Sequence, residues 1–472
     1  MNKYQKLAGN TLIFAIGSFG MKFLSFILVR LYTAFMSKAE YGTADLLVQT
    51  VNMLYPIVTL SMADAVIRFG MDKGYDKRQV YTSAVVSCVI GLGALALISP
   101  VFNLLDIFFK GYGFLLYVCC YFSCFRQIAS NFVRARGYVK LFAADGIFST
   151  LVIVICNVIF LVVLDMGVAG YMLSIIISDA LSFAGLTLIA GLHKCLDITY
   201  FSKRLFKDML KYSAPLIPTY VMWWITSASD RLFVIPLCGD DANGIYSAAY
   251  KIPSLLMMLT TLFYQAWQMS AIENRNDAGL AKFYTKIYSA YSSILMIGAA
   301  GIIMLVKPLT WLLVDKDFMS TYLYTPILVI AMIFQCLCQF ASSVYSVKKK
   351  SIHSMITSII AAVTNIILNF LLIPHLGVYG AAIATAAAYF ICFVIRILDV
   401  RNYIPFKAYH VRTAINTAAI CGMAFIAVSE PKLTYLWLAL LFVLVTLLNF
   451  GAVMSTVKKV LDRRKPKTET AG

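Results

Sequence analysis

Apolar runs alternate with short polar segments along the whole chain. Runs of about 20 residues are long enough, as α-helices, to cross a hydrocarbon core of roughly 30 Å. The pattern predicts an all-α polytopic membrane protein with 14 transmembrane helices, at residues 8–33, 43–67, 80–104, 114–133, 140–164, 170–191, 213–237, 246–270, 286–306, 321–345, 351–373, 379–399, 411–429 and 434–456. The first run has no small-residue cleavage site, so we expect it to stay as a helix.

The composition is that of a protein whose solvent is lipid. Hydrophobic residues make up 61% of the chain and charged residues 13%, whereas soluble globular chains carry about 25% charged residues. No sizeable soluble domain remains outside the apolar runs. The 11 cysteines lie mostly inside these runs without zinc-ligand or disulfide spacing, so we interpret them as small core residues.

The positive charge is distributed regularly along the chain. Lys and Arg number 40 against 22 Asp and Glu, for a net charge of +18. With the N-terminus inside, and with Lys140, Lys286, Arg396 and Arg412 at helix ends counted in the adjoining inner segments, 30 cations fall in inner segments, 5 in outer loops and 5 deeper within predicted helices. Positively charged loops resist translocation and stay cytoplasmic. The distribution therefore predicts cytoplasmic N- and C-termini, and it accounts for the charge without a nucleic-acid partner.

Two pairs of residues share a spacing that indicates an internal repeat. Lys140 precedes Gly167 by 27 residues, and Lys350 precedes Gly377 by the same 27, so the two pairs are offset by 210. A glycine between helices is common and carries little weight alone. Two pairs that share both the residue types and the spacing at one offset favour an internal duplication of the chain.

A second pair of spacings agrees with the repeat. Arg30 lies 12 residues before Gly42, and Arg231 lies 13 residues before Gly244. The repeat predicts two parallel six-helix bundles plus two C-terminal helices, an architecture that some secondary transporters use. The predicted domains are the bundles at 1–192 and 213–400, a cytoplasmic amphipathic linker at 193–212, helices 13 and 14 at 401–457, and a basic cytoplasmic tail at 458–472.

Ionisable residues within the predicted helices are the candidate site residues. Each costs about 2.5–3.5 kcal/mol at membrane depth and usually faces a cavity or a partner. Candidates for a substrate cavity are the cations Lys22, Arg30, Arg126, Arg231 and Lys251. Candidates for ion coupling or structural pairing are the acids Asp64, Asp145, Asp179 and Asp230.

A cation-rich cleft suits an anionic head group such as a pyrophosphate, which Arg binds in bidentate fashion. Simpler interpretations stay open for the same residues. Asp230 and Arg231 are neighbours that can form a structural feature, and Lys251 and Arg30 can extend to the outer head groups. Asp64 and Asp145 can simply face the inner membrane interface without a role in a site.

Sequence motifs for catalysis and metal binding are missing. The sequence has no Gly-Lys dipeptide and therefore no Walker A loop. Its 4 histidines lack metal-ligand spacing. We predict that the protein is not an enzyme and uses neither a metal nor a cofactor. Energy then comes from an ion gradient, the membrane potential or the gradient of the substrate.

Several short motifs carry a family resemblance. They are Leu28 to Tyr32, Glu40-Tyr41-Gly42, Tyr212 to Pro218, Ser229-Asp230-Arg231, Gly244 to Ser247, Lys251-Ile252-Pro253, Asn369 to Pro374 and Gly377 to Ala382. With these motifs the chain resembles the polysaccharide transporter family, the oligosaccharide-lipid flippases of the multidrug/oligosaccharidyl-lipid/polysaccharide exporter (MOP) superfamily. Arg30, Arg231 and Lys251 match positions in the motifs, whereas Lys22 and Arg126 are candidates only because they lie within predicted helices.

The resemblance implies a V-shaped pair of six-helix bundles in the bacterial cytoplasmic membrane. Such proteins move undecaprenyl-pyrophosphate-linked sugar repeat units from the cytoplasmic to the outer leaflet by alternating access, for capsule, exopolysaccharide or O-antigen-type polymers. The implied partners are the lipid-linked oligosaccharide and membrane lipids. A polysaccharide polymerase and glycosyltransferases are candidate protein partners.

Three other functions remain open. A peptidoglycan-precursor or spore-wall lipid-linked flippase also fits 14 spans. A multidrug cation antiporter usually has a 12-helix fold with an acidic cavity, whereas this chain has more buried cations. A membrane-embedded polysaccharide polymerase typically has a long external loop or an intramembrane His, and the sequence predicts neither.

Overall fold

The computed structural model describes residues 28–72, 74–98, 109–273, 279–348 and 350–462, and within them all regular structure is helical. Residues 28–35 form the first described helical segment. The α-helices that follow are α1 (Lys38–Val58), α2 (Met62–Gly70), α3 (Lys77–Ile98), α4 (Gly113–Ala135), α5 (Val139–Asn157), α6 (Gly167–Ile189), α7 (Lys203–Ser213), α8 (Leu216–Ala228), α9 (Asp230–Cys238), α10 (Asp240–Ala249), α11 (Ser254–Glu273), α12 (Leu280–Met304), α13 (Val306–Leu313), α14 (Thr321–Lys348), α15 (Ser351–Leu376), α16 (Val378–Val400), α17 (His410–Ser429) and α18 (Thr434–Asp462). A π-helical segment, Val158–Val163, extends α5, and short 3-10 helices occur at Leu192–Cys195, Ile198–Tyr200 and Lys316–Phe318.

Helices long and apolar enough to cross a membrane occur throughout the described residues. There are 9 of them, and the bent pair α1 and α2 makes a possible tenth. The prediction of an all-helical membrane protein is therefore confirmed. The count of 14 spans, the two-bundle arrangement and the domain boundaries stay predictions.

The predicted helix at 43–67 is broken. The axes of α1 and α2 differ by 56°, and Leu60 and Ser61 between them adopt left-handed φ values of 49° and 52°. Backbone groups freed by a break within a membrane need new partners. The Thr59 carbonyl at the break accepts from Met62 N at 3.0 Å and from the Ser87 hydroxyl of α3 at 3.3 Å.

The chain forms two compact units. The first contains Met1–Ala248, Leu313–Phe318 and Asn369–Val378, and the second contains Ala249–Leu312, Met319–Leu368 and Tyr379–Gly472. In the first unit α6 packs against α4 and α5, with buried cysteines in the core. All 11 cysteines are free thiols, of which 8 are buried, 2 are half-buried and Cys421 is exposed. The interpretation as core residues is right for the buried ones and wrong for Cys421.

An aromatic cluster forms the core of the second unit. Trp267 on α11 stacks on Phe340 of α14 with ring centroids 5.3 Å apart, and Tyr284 of α12 meets its edge at 4.8 Å. Phe263 stacks on Tyr291 at 4.7 Å. Such pairs add to the stabilisation from burial alone, so α11, α12 and α14 are fixed to one another here.

The positions used to infer the repeat have matching backbones. Gly167, the first residue of α6, has a φ of 51°, and Gly377, directly before α16, has a φ of 56°. Both are left-handed conformations that glycine adopts without steric cost. The two glycines thus share a backbone conformation, and the duplication itself stays a prediction.

Candidate functional site

A buried ion pair joins α9 to α1. The guanidinium of Arg231 is 2% exposed and the carboxylate of Asp45 is 4% exposed. Asp45 Oδ2 accepts from Arg231 Nε at 2.9 Å and from Nη2 at 2.8 Å. The Ser247 hydroxyl and the Ser227 carbonyl accept further bonds from the same guanidinium, each at 3.3 Å. Breaking one partner of such a pair leaves an uncompensated buried charge.

The preceding residue, Asp230, connects two other helices. Its side chain is fully buried. Asp230 Oδ2 accepts from the Tyr246 hydroxyl of α10 at 2.5 Å, and Oδ1 accepts from the Asn369 amide of α15 at 2.6 Å. At the start of α9, the carboxylate is also favoured by the helix dipole. Asp230 and Arg231 are thus neighbours in sequence that both bond to α10, while Arg231 also bonds to α1 and Asp230 also bonds to α15.

Two glycines let the backbones of α1 and α10 touch. A Cβ on Gly42 would lie 2.7 Å from the Gly244 nitrogen, and a Cβ on Gly244 would lie 1.9 Å from the Lys38 carbonyl oxygen. Only glycine fits at such a crossing. Asp45 is three residues after Gly42 and therefore on the same face of α1, which brings its carboxylate towards Arg231.

A capping box fixes where α1 begins. Glu40 N donates to the Ser37 hydroxyl at 3.2 Å, and Ser37 N donates to Glu40 Oε2 at 2.8 Å. Reciprocal bonds of this kind satisfy two otherwise unpaired backbone donors. The register of Gly42 and Asp45 on α1 follows from this start.

A second charged cluster connects α4, α5 and α6. Arg126 Nη1 lies 2.7 Å from Asp179 Oδ1, and Nη2 lies 3.7 Å from Asp145 Oδ2. Its Nε donates to the Ser182 hydroxyl at 2.9 Å. Ser182 in turn donates to Asp145, and Ser123 donates to Asp179. The structure therefore brings three predicted site residues together, two carboxylates around one guanidinium.

Arg30 and Asp64 bond to residues outside these two clusters. Arg30 is bonded to the Val314 carbonyl and lies 3.3 Å from the carboxylate of Asp315. Asp64 accepts from the Tyr220 hydroxyl at 3.0 Å. Lys251 lies in the turn between α10 and α11, in the second unit. Lys22 lies outside the described residues.

No described group of three His, Cys, Asp or Glu side chains is arranged to hold a metal ion.

Three buried polar residues were missing from the predicted set. Asp45 and Asn369 were overlooked, although both lie within predicted helices. Arg396, near the end of the predicted helix at 379–399, is counted with the inner segment, and it is fully buried in the second unit. It donates to the hydroxyls of Thr357, Ser342 and Ser358 at 2.8, 2.6 and 2.8 Å. An arginine surrounded by serine and threonine on neighbouring helices is the signal that could have identified it.

Several solved structures have a similar fold. The lipid II flippase MurJ in an inward closed conformation matches with a TM-score of 0.72 and 17% identity, covering 95% of this chain and 100% of that one. An inward-facing multidrug resistance MATE family transporter of the MOP superfamily matches with a TM-score of 0.68 and 14% identity, over 82% and 98% of the two chains. A MOP superfamily transporter from Pyrococcus furiosus, described as having a binding pocket of reverse polarity, matches with a TM-score of 0.63 and 13% identity. The match covers 84% of this chain and 95% of that one. The fold is that of the MOP superfamily transporters.

The family follows from the sequence itself. Residues 7–268, more than half of the chain, match the family described as polysaccharide biosynthesis protein. The chain belongs to this family, which confirms the resemblance found in its motifs. Among curated proteins, none matches the chain significantly. Family, fold and apolar helices together describe an integral membrane protein of the polysaccharide biosynthesis family with a fold that flippases and transporters share.

Proposed function

We propose that the protein is a flippase for undecaprenyl-pyrophosphate-linked oligosaccharide repeat units in surface polysaccharide biosynthesis. It carries them by alternating access, without catalysis, from the cytoplasmic to the outer leaflet of the bacterial cell membrane. Membership of the polysaccharide biosynthesis family supports the sugar substrate. The observation that carries the mechanism is the buried Arg231–Asp45 pair.

The Asp45 carboxylate occupies the position that a phosphate would take. Carboxylate and phosphate oxygens are alternative bidentate partners of a guanidinium. When α1 and α9 separate, Arg231 loses Asp45 and gains a phosphate oxygen of the substrate. Without substrate, the unpaired buried charge costs about 3–5 kcal/mol. The exchange of partners therefore couples the separation of α1 and α9 to the presence of an anionic head group.

The Arg126 cluster is the proposed site of ion coupling. Two carboxylates around one guanidinium carry one negative charge in excess when all three are ionised. A proton or a monovalent cation neutralises that excess. We assign coupling to Asp145 and Asp179. The contacts of Asp64 and Asp230 support structural pairing.

The test is transport in proteoliposomes that hold a labelled undecaprenyl-pyrophosphate oligosaccharide. We expect Arg231→Ala to reduce the initial rate of flipping at least tenfold and Arg231→Lys to retain part of it, because Lys keeps the charge and loses the bidentate geometry. Arg134→Ala, an exposed arginine on α4, is the control and keeps the parent rate. A full rate for Arg231→Ala refutes the exchange mechanism.

Ion coupling is tested in the same vesicles. Asp145→Asn and Asp179→Asn each remove the excess negative charge, so we expect transport that no longer responds to an imposed pH or sodium gradient. An unchanged response in both variants refutes the assignment and leaves the Arg231 result unaffected.

A peptidoglycan-precursor flippase is the second candidate. The fold match to the lipid II flippase MurJ over nearly the entire length of both chains favours it. Vesicles loaded with lipid II instead of the sugar-linked carrier separate the two functions. Transport of lipid II alone establishes the second candidate and overturns the first.

A further inference from the structure

A basic groove lies in the second unit at the ends of α12, α17 and α18. It consists of a cavity of about 610 Å³ and a neighbouring one of about 450 Å³, which share Lys407 and Tyr409. Its cations are Lys282, Lys286, Arg401, Lys407 and Arg412. None of the described residues that line the groove is acidic. The groove therefore has the electrostatics of an anion site.

Neutral groups hold Arg412 in place. Its Nη2 donates to the Ser289 hydroxyl at 3.1 Å and to the Ser289 carbonyl at 3.3 Å. The guanidinium lies over the Tyr409 ring, 4.8 Å from the centroid. Lys407 N donates to the Thr285 hydroxyl at 2.9 Å, which fixes the loop before α17 against α12. Ser289 and Tyr409 carry no formal charge, so these contacts do not offset the positive charge of Arg412 at the groove.

The start of α17 adds to the positive potential. The helix begins at His410 with no acidic residue in its first turn and no side-chain cap. Unpaired N–H groups at a helix start favour a negative ligand. The helix start therefore adds to the attraction of the cation cluster for an anion.

Apolar side chains line the groove beside the cations. Val411 is 75% exposed and Ile415 is 44% exposed, and both belong to its lining. The charge distribution of the sequence predicts that this end faces the cytoplasm, where anionic lipids lie. A ligand that binds both the cations and the apolar side chains of the groove has a phosphate and an acyl chain.

We propose that the basic groove binds the phosphate head group of an anionic membrane phospholipid, with its acyl chains along Val411 and Ile415. Zwitterionic lipids carry a cation that the groove repels. Basic pockets between helices on the cytoplasmic side suit multiply charged head groups such as that of cardiolipin. The site lies entirely within the second unit and does not depend on which molecule the protein transports.

Native mass spectrometry of the purified full-length protein tests the proposal. The probes are cardiolipin, phosphatidylcholine and inorganic pyrophosphate. Lys282→Gln with Lys407→Gln removes two exposed cations from the groove, and Lys203→Gln with Lys207→Gln removes two exposed cations from α7 as the matched control. Each cation near the membrane surface contributes about fivefold in affinity. We expect cardiolipin to bind about 25-fold more weakly to the groove variant and within twofold of the parent affinity to the control.

Arg412 provides a second measurement. Arg412→Gln weakens cardiolipin binding about fivefold, while Arg412→Lys retains it. Equal cardiolipin binding by both double variants overturns the proposal, as does phosphatidylcholine binding as tight as cardiolipin. Retention of pyrophosphate without retention of cardiolipin overturns it in favour of a soluble phosphate ligand.

Discussion

Removal of the Asp45 carboxylate tests how much the buried ion pair stabilises the first unit. Asp45→Ala leaves the guanidinium of Arg231 buried without its charged partner, a change that costs about 3–5 kcal/mol in free energy of unfolding. The bonds to Ser247 and Ser227 remain and partly satisfy the guanidinium. We therefore expect a loss near the lower limit, about 3 kcal/mol.

A double-mutant cycle isolates the pair. Asp45→Ala combined with Arg231→Leu removes both charges, so the double variant loses less than the sum of the single variants. We expect a coupling energy of about 2 kcal/mol or more. The control is the pair between Lys307 and Glu430. Lys307 Nζ lies 2.5 Å from Glu430 Oε2, but the two side chains are 36% and 38% exposed. We therefore expect a coupling energy of about 0–1 kcal/mol for this pair.

The measurement is denaturant unfolding of the purified protein in detergent, followed by tryptophan fluorescence. Trp224 on α8 is a local probe, because its indole donates to the Gln49 carbonyl of α1 at 2.8 Å. Additive losses in the cycle, with coupling below about 0.5 kcal/mol, refute the claim that Asp45 and Arg231 act as one unit. Such a result also removes the energetic basis of the proposed exchange with phosphate.

Two further predictions concern a backbone crossing and a titrating surface pair. Gly244→Ala places a methyl group 1.9 Å from the Lys38 carbonyl, so we expect lost transport and a lower unfolding midpoint, whereas Gly185→Ala, with no atom within 4 Å, leaves both unchanged. Normal transport by Gly244→Ala contradicts the crossing. The hydrogen bond from Lys307 holds the pKa of Glu430 below its usual value, so the pair stabilises the protein above about pH 4.3 and loses that contribution as the pH falls through the folded pKa. Glu430→Gln should remove this acid-dependent part, at most about 1 kcal/mol, in unfolding curves between pH 3 and 7; identical pH dependence in parent and variant contradicts it.

Run length and apolarity predicted the helical membrane fold, because an uninterrupted apolar run can satisfy its backbone in lipid only as a helix. The break between α1 and α2 was missed. Leu60 and Ser61 rarely adopt left-handed conformations, so nothing local marks the bend. The hydroxyl that bonds to the Thr59 carbonyl at this break comes from Ser87 on another helix.

Burial of charge was predictable in part. Arg126, Asp145 and Asp179 were identified one by one because each lies within an apolar run, and the structure joins them. Their pairing depends on which helices pack together, and periodicity does not supply that. For the same reason the sequence pattern did not identify Asp45, which is 186 residues away along the chain, as the partner of Arg231.

The contact between Gly42 and Gly244 also bears on ancestry. The predicted repeat makes these two residues equivalents, and a residue that touches its own equivalent lies on a two-fold axis, as at the interface of a symmetric homodimer. Fusion of two such copies into one gene leaves the crossing intact but frees each side to diverge. Neither position then tolerates a side chain, because the Gly244 backbone fills the space beside Gly42 and the Lys38 backbone fills the space beside Gly244.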